Sequence, residues 1–151
     1  MANVKPLIDG LAFAEGPRWH NGKLWFSDMQ GLTVMNVDLN GRTETVAEVP
    51  NWPSGLGWLP DGRLLIVSMT DRKLLRLDPD GLKVHADISK LASFHCNDMV
   101  VDGKGNAYVG NFGYDVLAHA TPKDAEVVLV KPDGSLTNQR VWAKVDQGRR
   151  A

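Results

Sequence analysis

Cysteine is nearly missing from this sequence: Cys96 is the only one in 151 residues. No intrachain disulfide can form, so no covalent framework holds the fold, and a reducing compartment suits the chain. The cytoplasm is the expected location. No run approaches the roughly 20 apolar residues of a membrane-spanning helix. The opening residues, MANVKPLIDGLAFAEG, lack the basic-then-apolar order of a secretion signal. Charge of one sign is lacking too. Seventeen basic and 18 acidic residues are interspersed and leave a formal net charge of -1. Such a chain has no long-range field to gather a polyanion, so neither nucleic acid nor membrane is an expected partner. Helical periodicity is also scarce. No segment keeps a 3.6-residue apolar period for long, and only DISKLASF, residues 87–94, could form a helical turn.

What is present is a repeat. GPRWHNGKLWFSDM from Gly16, GLGWLPDGRLLIVSM from Gly55 and NDMVVDGKGNAYVGN from Asn97 each read as a short strand, a glycine-bearing turn and a second apolar strand. Their turn glycines, Gly22, Gly62 and Gly105, stand 40 and then 43 residues apart. A third strand and turn follow in TVMNVDLNGR, KLLRLDPDGL and EVVLVKPDGS, with glycines at Gly41, Gly81 and Gly134. The last interval is lengthened by an insertion, FGYDVLAHATPKDA. A fourth extended stretch closes each unit: TETVAEVP, LKVHADIS and LTNQRVWAKV.

The turn chemistry fits strands. Asn21-Gly22 and Asn40-Gly41 suit tight hairpins that need positive φ, and Pro60-Asp61-Gly62, Pro79-Asp80-Gly81 and Pro132-Asp133-Gly134 pre-set a turn and supply its permissive glycine. Val34, Asn36 and Asp38 alternate with Met35, Val37 and Leu39 as a half-buried strand does. Four strands per unit at a period of some 40 residues predicts an all-β fold of antiparallel β-propeller blades. The expected blades run from about 10–50, 51–92 and 93–146. Closed propellers need at least about four blades, so three leave the ring open.

A blade's first strand lines the central channel, and Glu15, Ser54 and Asn97 stand at its start in the three repeats. A carboxylate and an amide oxygen near one axis suit a hard cation, because calcium takes about 6–8 oxygen ligands. Calcium, or another divalent cation, is the expected cofactor. The plainer alternative is that Glu15 caps a backbone amide or pairs with Arg18 at the surface.

AEGPRWHNGKLWFSD, SGLGWLPDGRLLIVS and HCNDMVVDGKGNAYVGNFG resemble successive blades of the gluconolactonase, senescence marker protein and luciferin-regenerating enzyme family. The resemblance covers essentially the whole chain and the first half of a typical member. It implies a six-bladed, calcium-dependent propeller that hydrolyses sugar lactones, with relatives acting on other lactones and on organophosphates. It further implies that Glu15 is the first-blade calcium ligand, that Asn97 contacts metal or substrate, and that Asp98 supports them from behind. An arginine of the sugar-lactonase branch is replaced by His95, which leaves the substrate open. The family's Asn and Asp of the fourth and fifth blades, the latter its proposed general base, have no counterpart in these residues. The expected function is therefore hydrolysis of sugar lactones or related lactones and esters. Its site is incomplete unless a second subunit completes the propeller as a homodimer. The alternative is a non-catalytic half-propeller, either a truncated product or a protein-interaction module.

Other candidates carry less. His20, His85 and His119 show no zinc-binding spacing and read as surface or loop residues, whereas His95 lies beside Asn97 and is a candidate substrate contact. Cys96 alternates with His95 and Asn97, so it is expected to point into the blade as a small hydrophobe. Ser27 and Ser68 lack a nucleophile elbow. Trp52, on a loop near the channel mouth, is a candidate pocket wall, and the other four tryptophans are expected between blades. Phe112, Tyr114 and His119 of the insertion are candidates for a lid, against a plain tolerated insertion.

Overall fold

The turn glycines behave as the repeat requires: Gly22, Gly41, Gly62, Gly81, Gly105 and Gly134 all have positive φ, between 77° and 113°. Asn21 joins Gly22 in the left-handed region at 49°, the geometry of a two-residue hairpin turn whose twist matches its strands. Aspartates reinforce the turns. Asp38, Asp61, Asp102 and Asp133 each accept the backbone N–H two residues on, at 2.8–3.0 Å, which replaces backbone partners lost where the chain reverses.

Between these turns, the computed structural model describes residues 4–136 and the backbone of 141–145. Three antiparallel meanders result. The first comprises β1 (Ala14–His20), β2 (Lys23–Asp28), β3 (Thr33–Val37) and β4 (Thr43–Glu48). The second holds β5 (Pro53–Trp58), β6 (Leu64–Ser68), β7 (Lys73–Asp78) and β8 (Gly81–Asp87). The third holds β9 (Cys96–Val101), β10 (Ala107–Asn111), β11 (Ala125–Val130) and β12 (Val141–Val145). The fold is a partial β-propeller. Among the described residues there is no helix, so none is long and apolar enough to cross a membrane. DISKLASF contributes one turn, in which the N–H groups of Leu91 and Ala92 both reach the Ile88 carbonyl at 2.9 Å.

The middle sheet is buried on both faces, which explains why β6 reads LLIVS, an unbroken apolar run rather than an alternation. Leu64 and Ile66 join Val34, Val49 and Leu56 in the core against the first sheet. Leu65 and Val67 join Met99, Val109, Val128 and Val130 in the core against the third. Cys96 is fully buried in this second core. Trp25 and Trp58 pack on the first core, with the His20 ring stacked 3.9 Å from that of Trp58. Trp19 departs from the expectation of a tryptophan between blades: it is 59% exposed, at a shallow concavity beside Leu56, Gly57 and Trp58. Trp142 lies outside the residues whose side chains are described.

The inner strands approach closely because glycine lets them. A Cβ on Gly55 would fall 2.5 Å from the Met99 nitrogen and 2.9 Å from the Asp98 Cα. Real Cβ atoms do not tolerate such contacts, so β5 rests directly on the β9 backbone only because residue 55 has no side chain.

Candidate metal and substrate site

Each inner strand is irregular at the same place. The ladder slips between Glu15 and Arg18 in β1 and between Pro53 and Leu56 in β5, and at Cys96–Met99 where β9 meets β10. A bulge re-aims the side chains around it. Here the irregularities coincide with Glu15, Ser54 and Asn97, and the three converge. Ser54 Oγ lies 3.0 Å from Asn97 Oδ1, and the same hydroxyl faces the Glu15 carboxylate. Its backbone carbonyl is held at 2.6 Å by the buried hydroxyl of Ser27.

The cluster is rich in oxygen and poor in protons. One hydroxyl proton of Ser54 has two acceptors before it, and Glu15 Oε1 is buried with no hydrogen-bond partner. Burial raises the Glu15 carboxyl above its ordinary value; the Ser54 hydrogen bond opposes the rise and the charge of Asp98 adds to it. A partly buried carboxylate with one oxygen left without a partner is costly, and a cation would remove that cost. The residues present thus fit a hard, oxygen-preferring cation in kind, through one carboxylate, one amide oxygen and one hydroxyl. They fall short in number, since calcium takes about 6–8 ligands. No three His, Cys, Asp or Glu side chains cluster to hold a metal among the described residues.

Around the cluster the three repeats contribute equivalent residues. Two positions before the polar residue stand Phe13, Trp52 and His95. At the end of the second strand stand Met29, Met69 and Phe112, and all six line one cleft of about 320 Å³ with Glu15 and Asn97. The same backbone bond joins each pair: Met29 N–H to the Phe13 carbonyl at 2.8 Å, Met69 to Trp52 at 2.9 Å and Phe112 to His95 at 3.0 Å. In the first blade the approach to Glu15 is fixed by Asp28, whose carboxylate accepts the N–H groups of Ala12 at 3.0 Å and Phe13 at 2.6 Å. Trp52 holds a left-handed backbone, φ 62°. His95 stacks on Phe94, and its imidazole is held below its ordinary value by burial, with Asp115 opposing and Arg72 adding to the effect.

Glu15, Asn97, His95 and Trp52 therefore share one cleft, whereas Asp98 does not line it: its side chain is exposed and faces the concavity beside Arg18. The surface pairing of Glu15 with Arg18 does not form: Arg18 reaches instead to the Asp98 carboxylate at 2.5 Å and the Met99 carbonyl at 2.9 Å, tying β1 to β9. Of the insertion, Phe112 lines the cleft and Tyr114 and His119 do not; Val116 and Leu117 do. Sequence reasoning gave Ser54 a position and no role, and it passed over Phe13, Met29, Met69 and Phe94. The signal for most of these was available in the repeat itself. Met29, Met69 and Phe112 are 40 and 43 residues apart, and Phe13, Trp52 and His95 are 39 and 43 apart. A second, larger concavity of about 520 Å³ lies against the outer face of the third sheet, beside Arg18, Asp98, Val100, Tyr108 and Val127. It does not include Glu15 or Asn97.

Three four-stranded meanders whose inner strands bring oxygen donors to one cleft define a partial β-propeller. The chain belongs to the SMP-30/gluconolactonase/LRE-like family, whose sequence model matches residues 13–148. No curated protein sequence matches it. Among solved structures, it is similar to a gluconolactonase from Xanthomonas campestris, with TM-score 0.66 and 23% identity over 85% of this chain and 47% of that one. It is also similar to regucalcin, a calcium-binding protein from Agrobacterium tumefaciens, with TM-score 0.63 and 23% identity over 82% of this chain and 41% of that one. A luciferin-regenerating enzyme gives TM-score 0.62 and 18% identity over 83% and 44%. The chain spans less than half the length of each of these structures.

Proposed function

We propose that the chain carries part of the site of a calcium-dependent hydrolase acting on lactones or related esters. The observation that supports this most is the buried, unpartnered Glu15 Oε1 beside Ser54 and Asn97 at the mouth of a cleft, in a member of this family. Glu15 and Asn97 would hold the ion; another divalent cation of similar hardness is a variant of the same reading. Bound there, calcium supplies the Lewis acidity that makes an ester carbonyl open to attack. The chain's own residues do the rest of what these 151 residues can do. Ser54 fixes the Asn97 amide, His95 offers a ring N–H to a substrate oxygen, and Trp52 excludes water from one wall.

The remaining oxygen ligands and a general base come from outside these residues. A second copy of the chain, closing the propeller as a homodimer, is the source this proposal adopts, with a small-molecule lactone as substrate and the cytoplasm as the place of action. Calcium raises the melting temperature if the reading holds, since a ligand at 100 times its Kd stabilises the folded state by about 2.7 kcal/mol. The absence of any shift, together with lactone hydrolysis unaffected by Glu15→Gln, would sink it.

A second reading is a non-catalytic half-propeller that binds another polypeptide. The observation favouring it is the open outer face of the third sheet, where Val100 is 62% exposed beside the larger concavity. Calcium separates the two readings, because this one predicts no metal-linked stabilisation.

A further inference from the structure

Apart from its polar cluster, the cleft is walled by carbon and sulfur. Phe13, Met29, Trp52, Met69 and Phe94 surround Glu15 and Asn97, and Gln30 and His95 are the other polar residues among those lining the cleft. Asn97 is already engaged by Ser54 at 3.0 Å. A sugar lactone brings several hydroxyls, each of which needs a partner when it leaves water. Set against methionine and phenylalanine side chains, most of those hydroxyls lose hydrogen bonds, because among these residues only Glu15, Gln30 and His95 are there to restore them. A hydrocarbon tail loses nothing there.

The insertion strengthens the asymmetry. Asp115 Oδ1 accepts the N–H of Ala118 at 2.9 Å, the His119 N–H reaches the Val116 carbonyl at 3.2 Å, and the Ala120 N–H reaches the Asp115 carbonyl at 3.0 Å. This compact turn sets Val116 and Leu117 at the cleft. There they remain 41% and 69% exposed, alongside Phe13 at 51%. Apolar side chains grouped at the rim of a cavity are an exposed patch with a use. Trp52 completes the wall from a left-handed backbone, a conformation that bulky residues rarely adopt and that concentrates where a side chain must be held for function.

We infer that the cleft selects lactones or esters bearing an apolar tail, with the turn at 115–119 forming the tail-binding wall and the Glu15–Asn97 end receiving the ring. This rests on the lactone-hydrolase reading above and names its substrate class. The cleft volume of about 320 Å³ admits a medium-length alkyl lactone, and cavities of this size and lining are the usual form of small-molecule sites.

The test is direct binding of γ-butyrolactone, γ-octalactone, γ-decalactone and D-glucono-δ-lactone to the full chain by titration calorimetry with calcium present, in parallel with hydrolysis in a pH-stat. Affinity is expected to rise about fourfold for each added methylene, the equivalent of ~0.8 kcal/mol, with gluconolactone unable to compete. Leu117→Asp, at a position 69% exposed, is expected to weaken γ-decalactone at least tenfold with an unchanged melting temperature, while Leu39→Asp, exposed and away from the cleft, changes neither. Affinity independent of tail length, or gluconolactone binding more tightly than γ-decalactone, overturns the inference. Tail-dependent binding without hydrolysis at any calcium concentration counts against the hydrolase reading and leaves the tail preference standing. Gluconolactone as the better substrate and ligand does the reverse.

Discussion

Replacing Glu15 by Gln keeps the size of the side chain and removes its charge, so the substitution separates a ligand from a packing residue. If Glu15 holds the ion, Glu15→Gln abolishes the calcium-dependent rise in melting temperature and leaves the calcium-free transition within a few degrees of wild type. An unchanged calcium shift in the variant would mean that the ion binds elsewhere. Cys96 gives a second residue-scale prediction. Burial pushes its thiol up to about 12, and its side chain is fully covered, so at pH 8 the native chain reacts negligibly with a disulfide reagent and one thiol per chain appears on unfolding. Rapid labelling of the folded chain would show that the core between the second and third sheets opens. At this scale the sequence was informative about polar residues and nearly mute about apolar ones. Glu15 and Asn97 stand out because a carboxylate or amide at the start of a buried strand calls for a partner. Met29 and Met69 look like any core methionine until the repeat is laid over the cleft.

Gly55 tests the packing of inner strands. A Cβ there meets the backbone of Met99 and Asp98, and backbone cannot move aside as a flexible side chain does. Gly55→Ala is therefore expected to cost about 3 kcal/mol or more in urea unfolding, well beyond the about 1 kcal/mol typical of point substitutions. A cost below about 1 kcal/mol would mean that β5 does not rest on β9. On β7, Asp78 is hydrogen-bonded by Arg76 at 2.7 Å through both carboxylate oxygens and reached by Arg63 at 3.4 Å. The Arg76 hydrogen bonds, with the charges of both arginines, hold its carboxyl down at about 2, against 3.8 when unfolded. A depressed acid stabilises the fold fully above its unfolded value, and the contribution disappears as pH falls from about 4 towards 2. Melting temperature measured across that window falls more steeply for wild type than for Asp78→Asn; parallel curves would show that the pair is screened into irrelevance. The strands themselves were readable because Asn-Gly and Pro-Asp-Gly have few conformations to choose from. The bulges were not, since a slip of register leaves no mark on an alternation already broken by Gly16-Pro17 and Ser54-Gly55.

For the whole molecule, the repeat determined the blades and left the closure of the ring undetermined, because a period counts units and says nothing of what meets the last one. The outer face of the third sheet presents Val100 at 62% exposure, with Tyr108 and Val127 beside it, whereas the equivalent strands of the middle sheet are covered on both sides. An apolar sheet face of this kind is stabilised by a neighbour, and the proposed two-fold pairing of chains would supply one and bring a second Glu15 and Asn97 to the channel. Sedimentation velocity with and without calcium measures both consequences together. If the proposed ion has too few ligands in one chain and more in two, linkage requires calcium to tighten association as association tightens calcium. The dimer dissociation constant should rise at least tenfold when calcium is chelated, and association should become indifferent to calcium in Glu15→Gln. A dimer equally tight in both conditions would place the shared surface away from the channel, and a calcium-indifferent monomer would leave the single carboxylate of the cleft without the ligands that a hydrolase of this design requires.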